Sequence, residues 1–224
     1  MNTPTPLLRG AALVDAVMAH RRAHGESFHG ADPDSLSERR LGNLPLTPTL
    51  KRWYECDDDF FLLGEPRTFN QLVEEEFPEW SDAFGLTSQL LGSGHCFLFE
   101  GWGSDSRRFL YLGKPDSEGE YPVFTLDTDD VPFVCLNGPI DVWLAQQAGY
   151  LAEEKHYGFV PTEYLACLQE HAELNFGGHT SLEDGFPEGA GEDDLRAIDA
   201  EPHSSHPPPS LLNLMAGLKR KGTL

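Results

Sequence analysis

The chain has 224 residues, 39% of them hydrophobic and 11% aromatic, which is apolar material enough for one packed core and excludes a wholly disordered polymer. Asp and Glu number 37 against 16 Lys and Arg, and the resulting charge of −21 repels nucleic acid and anionic lipid while favouring a basic partner, although acidity also serves solubility alone. The start, MNTPTPLLRGAALVDAVMAHRRAHG, has no basic leader before its apolar run, Asp15 interrupts that run, and no apolar span approaches 18 residues; a cytoplasmic protein without membrane contact is therefore expected.

Leu8, Ala12, Leu13, Ala16 and Val17 recur at helical spacing, so Leu7 to Arg22 reads as an amphipathic first helix whose Arg21-Arg22 end suits the negative helix pole. The segment HGESFHGADPDSLSERRLGNLP lacks sustained periodicity and reads as a loop with at most a short helix. In LPLTPTLKRWYECDDDFF, Thr47 caps a helix that Pro48 begins, with Leu50, Trp53 and Tyr54 on one face. Asp57, Asp58 and Asp59 would oppose the carbonyl end of that helix and are assigned to the outgoing loop. FFLLG reads as a short strand. TFNQLVEEEF then sets Thr68 and Gln71 at capping-box spacing ahead of Leu72, Val73 and Phe77, with Glu74, Glu75 and Glu76 towards solvent.

From His95 the period shortens. CFLFEG, RFLYLG, YPVFTLD and PFVCLN are apolar runs separated by turn-rich segments, as in an antiparallel meander. Gly138 then reads as a cap and Pro139 as the first residue of a helix with Ile140, Trp143, Leu144 and Tyr150 or Leu151 as its buried stripe and Asp141 in its first turn. A further helix is expected over Pro161 to Leu174. The pattern predicts an α+β fold, a single antiparallel or mixed sheet of about 4–6 strands with flanking helices. This domain spans 1–176; 177–209 is an acidic, Gly/Pro-rich irregular segment, and 210–224 a short amphipathic C-terminal helix.

Motifs of catalysis are not found. The DTDD run fails as a calcium loop, because counting from Asp127 puts Pro132 and Gly138 where Gly and Glu are needed. A hairpin tip open to water is also a poor place to shift the pKa of Asp127, Asp129 or Asp130. LGSGHC is not a nucleophile elbow, and no phosphate-binding or dinucleotide fingerprint occurs. Cys56, Cys96, Cys135 and Cys167 form no CxxC pair and three of them lie in apolar segments, which suits core thiols; His203 and His206 in HSSH are an incomplete metal site. No catalytic residue, cofactor or metal is assigned. A metal-dependent hydrolase using clustered carboxylates is the enzymatic alternative.

Two blocks carry a family resemblance. LPLTPTLKRWYECDDDFFLL and FLYLGKPDSEGEYPVFTLDTDDVPFVCLNGPIDVWLAQQ resemble the SUKH superfamily, many of whose members are immunity proteins, in its Leu-Pro segment with a following helix and in its strand, acidic turn, two strands and short helix. The matching positions are Phe109 to Leu112, Val123 to Asp127, Phe133 to Leu136 and Ile140 to Leu144, within an element order that extends over residues 7–151. Where the family commonly has Asn-Gly-Gly after the first helix, this chain has Asp57, Asp58 and Asp59, and Tyr157 to Leu224 has no counterpart. The resemblance implies stoichiometric neutralisation of a toxin, with no catalysis. Asp57, Asp58, Asp59, Glu74, Glu75, Asp127, Asp129 and Asp130 are the candidate contacts with a basic protein partner such as a nuclease toxin domain. The alternative is a regulatory or scaffold protein of the same fold that binds an endogenous partner through Leu211 to Leu218.

Overall fold

Local capping chemistry sets most of the helices that precede the sheet. The computed structural model describes residues 7–58, 63–91, 94–99, 106–128, 133–151, 164–171 and 174. Helix α1 (Gly10–Ala23) starts later than its periodicity suggests, because the Gly10 N–H is taken by the Asp141 carboxylate at 2.7 Å. Leu7 and Leu8 consequently stay exposed, and the buried stripe is Leu13, Val14, Val17 and Met18. Within the segment read as a loop, Asp32 caps α2 (Pro33–Glu38), and a small hairpin, β1 (Arg40–Leu41) with β2 (Leu44–Pro45), follows. Thr47 accepts the Leu50 N–H at 3.2 Å to cap α3 (Pro48–Cys56), which packs its Leu50, Trp53 and Tyr54 face into the core and lies against α1.

Strand β3 (Leu63–Thr68) runs further than FFLLG indicated and hands over directly to α4 (Phe69–Glu76) through a complete Thr68–Gln71 capping box. A 3₁₀ helix (Pro78–Phe84) and α5 (Gly85–Leu91) lead to β4 (His95–Leu98), β5 (Ser106–Tyr111), β6 (Pro122–Asp127) and β7 (Phe133–Pro139). The sheet is an antiparallel meander in the order β3-β4-β5-β6-β7, and the fold is α+β. Pro66 and a register irregularity between Leu63 and Arg67 interrupt the edge strand β3, which blunts it against pairing with another chain. On one face Phe109 and Phe124 are cross-strand partners stacked at 5.4 Å, and Phe69 of α4 meets Phe109 at 5.7 Å.

The Asn-Gly-Pro turn differs from its sequence reading. Pro139 still faces Pro122 in the β6–β7 ladder, so α6 (Ile140–Gln147) begins one residue later, with Pro139 as its N-cap. Asn137 is the extra residue of a bulge between Gly138 and Leu136, and Gly138 adopts φ 134°, a conformation suited to glycine. Instead of a single stripe, α6 buries every residue from Ile140 to Gln146, because α1 lies on one side and β6 and β7 on another. Of the helix expected over 161–174, the described part is α7 (Leu165–Gln169), packed on β7. The segments 177–209 and 210–224 lie outside the described residues.

Tyr111 shows how tightly the sheet's rim is fitted. Its hydroxyl donates to the Leu91 carbonyl at 2.6 Å, and a β-carbon on either Gly94 or Gly113 would lie 2.2 Å from its ring. The substitution Gly113→Ala should lower unfolding stability in urea by about 1–3 kcal/mol through overpacking, and Tyr111→Phe by about 1 kcal/mol through loss of the hydrogen bond, both with unchanged m-value.

Candidate functional site

A buried ionic cluster forms where the start of α1, the β5–β6 connection, α6 and α7 converge. Arg9, the residue before α1, directs Nε to Asp141 Oδ2 at 2.6 Å, one terminal nitrogen to Asp116 Oδ2 and the other to Cys167 Sγ at 2.9 Å. Both carboxylate side chains are fully buried. Asp116 also accepts the Glu118 and Glu120 N–H groups, each at 2.9 Å, which folds the connection back on itself. Burial lowers the Arg9 pKa, but hydrogen bonds and charge from Asp141 and Asp116 outweigh that and hold the guanidinium firmly protonated.

Glu120 sits beside this cluster with no exposed surface. Its Oε1 accepts the Thr49 N–H at the start of α3 at 2.9 Å, and Oε2 is buried without a hydrogen-bond partner. Burial pushes its pKa up to about 7 against the pull of the Thr47 and Thr49 groups, and the charge of Asp141 adds to the rise. Helix α7 closes the same region: Glu170 accepts from the Ser117 N–H at 2.7 Å and from its hydroxyl at 3.0 Å, and the His171 ring lies 3.1 Å from the Lys114 carbonyl. These groups are directed at one another and at backbone N–H groups, so the cluster's chemistry is that of a clamp.

The acidic candidates read from sequence are dispersed. Asp57 is buried, 4% exposed, with its carboxylate 2.5 Å from Arg21 Nη1, and it ties the end of α3 to the end of α1; the solvated loop expected for it is replaced by an internal ion pair. Arg21 in turn lies over Phe28 at 4.7 Å and Trp53 at 5.6 Å. Asp58 is exposed and paired with Arg39 at 2.6 Å. Glu74 and Glu75 are exposed on α4, and Glu75 pairs with Arg67. Asp127 ends β6 between Ser106 and Phe133 at 3% exposure, which corrects its reading as an open hairpin tip. Asp59, Asp129 and Asp130 lie outside the described residues, as do His203 and His206.

Cys96, Cys135 and Cys167 are buried free thiols and Cys56 is half-buried, as core use requires; burial pushes the Cys135 thiol up to about 12. Among the described residues no group of three or more His, Cys, Asp or Glu side chains is arranged to hold a metal ion. No helix among them is long and apolar enough to cross a membrane. Sequence reasoning missed Arg9, Asp116 and Glu120 and took Asp141 only as a first-turn acid. The available signal was an aspartate inside the otherwise apolar IDVWLA, which, if buried, requires hydrogen-bond donors or a cation from elsewhere in the chain.

Removing the shared cation by Arg9→Met should cost about 3–5 kcal/mol in denaturant unfolding, since two buried carboxylates are left uncompensated, whereas Asp141→Asn leaves Arg9 paired with Asp116 and should cost less. Glu120 gives a pH dependence of known sign. Its folded pKa of about 7 exceeds the ordinary 4.5, so the folded state binds the extra proton. The stability it contributes is complete below pH 4.5 and is lost as pH rises towards 7. Glu120→Gln should therefore flatten the stability profile over that window by on the order of 3 kcal/mol, measured by urea unfolding at several pH values.

No family model, curated protein or solved structure matches the chain.

Proposed function

We propose that this chain is a non-catalytic, cytoplasmic binding protein that neutralises a basic toxin domain by stoichiometric association. The observation that carries this reading is the disposition of charge. The chain has 37 acids against 16 Lys and Arg, and among the described residues six arginines are paired with its own acids: Arg9 with Asp116 and Asp141, Arg21 with Asp57 and Glu26, Arg39 with Asp58, Arg52 with Asp15 and Glu55, Arg67 with Glu75 and Glu76, and Arg107 with Glu76, while Arg22, Arg40, Lys51 and Lys114 are exposed. Asp34, Glu38, Glu65, Glu74 and Glu79 remain at the surface. Such a field accelerates encounter with a cationic protein and disfavours nucleic acid and anionic membrane.

Two further observations support the reading. The segments that resemble the SUKH superfamily meet in space, since Glu120 from the second block holds the Thr49 N–H of the first at 2.9 Å. Of the clustered acids read as partner contacts, Asp57 is committed to an internal pair and Asp127 is buried, which suits a structural role for these two and leaves contact to acids at the surface. The exposed acids of α4 and of the adjacent 3₁₀ helix, Glu74 and Glu79, are the contacts this reading favours.

A toxin encoded beside this gene should co-elute with the chain at a fixed ratio, and co-expression should protect cells from it; unprotected cells would sink the proposal. The double reversal Glu74→Lys with Glu79→Lys should slow association by roughly tenfold at low salt, with a smaller change in dissociation, as read by stopped-flow or surface binding kinetics.

A further inference from the structure

The C-terminal end of α1 carries HRRAH, with His20 and His24 four residues apart and therefore on one helical face. Their ring centroids are 4.2 Å apart at an interplanar angle of 45°. The His24 Nδ1 lies 2.8 Å from the His20 carbonyl oxygen. A carbonyl only accepts, so Nδ1 carries the hydrogen, and in the neutral ring the lone pair is left on Nε2. This is the arrangement by which a backbone carbonyl fixes the tautomer of a metal-ligating histidine. The Tyr150 and His20 rings also meet in a T-shaped contact, with centroids 5.7 Å apart. His24 is exposed and His20 half-buried, so an ion can reach both.

The electrostatic setting suits a cation despite the intervening arginines. The site lies at the carbonyl end of a 14-residue helix, where the backbone dipole is negative. The charge of Arg21 is met by Asp57 at 2.5 Å and Glu26 at 2.8 Å, and Arg22 is turned over the Phe28 ring at 4.8 Å. The net charge of −21 concentrates cations around the whole molecule.

We propose that His20 and His24 form a two-histidine chelate for a late first-row divalent metal ion at the end of α1. Imidazole nitrogen selects Zn²⁺, Ni²⁺ or Cu²⁺ over Mg²⁺ and Ca²⁺, and a tetrahedral ion held by two rings keeps two positions for water.

The test is calorimetric titration of the untagged full chain with Zn²⁺. Native protein should bind one ion per chain at this site, with affinity weakened at least about tenfold in His20→Gln and in His24→Gln. The variant His203→Gln with His206→Gln should retain it, which separates this site from the HSSH segment. Circular dichroism melts without metal check that each variant is folded. On the native chain, substoichiometric Ni²⁺ should broaden the His20 and His24 ring resonances before those of any other histidine. Zn²⁺ affinity unmoved in His20→Gln and His24→Gln, or Ni²⁺ broadening that begins at other histidines, overturns the proposal.

Discussion

One buried guanidinium organises this fold. Arg9 stands between a helix that starts near the beginning of the chain and carboxylates that arrive more than a hundred residues later, at Asp116 and Asp141. Taking such a cation out of water is costly, and only well-placed acids make it tolerable. Because Asp141 accepts from both Arg9 Nε and the Gly10 N–H, it fixes where α1 begins and how α1 lies on α6. Asp116 uses its other oxygen to turn the β5–β6 connection, and that turn delivers Glu120 to the start of α3. The arrangement passes from one helix to the next through these shared carboxylates.

The same logic explains the outer surface. An acidic chain with few cations spends them first where an unpaired carboxylate would be buried, as at Asp57 beside Arg21. The pairs that remain, such as Arg52 with Asp15 and Glu55, are half-exposed and contribute little to stability, on the order of 0–1 kcal/mol each. Among the described residues the interior holds Arg9 between two buried carboxylates, and exposed acids outnumber exposed cations. An excess of one sign of charge at a protein surface steers encounter with partners of the opposite sign.

Much of the architecture was legible because it rests on short-range rules. Thr47-Pro48 and Thr68 with Gln71 announce helix starts through hydrogen bonds made within one turn, and the structure has both. The period-two runs after His95 had to pair as a meander, since short connections allow little else. The errors fall where a distant group intervenes. Leu8 reads as part of the first helix's apolar stripe, yet Asp141 captures Gly10 and leaves it outside; Gly138-Pro139 reads as a helix start, yet the ladder to β6 holds it as strand. Asp127 reads as a tip because its neighbours in sequence are acidic, and it is buried by what packs around it in space.

Sequence alone therefore determined the α+β class, the Thr47 and Thr68 caps, the meander of the four runs after His95 and the sign of the net charge, all of which depend on residues near one another or on composition. Tertiary structure decided which charges are buried, which helix boundaries hold, and which carboxylate, Glu120, is pushed up to titrate near 7. Those outcomes depend on desolvation, and desolvation at a given residue is set by chain segments that the local sequence does not name.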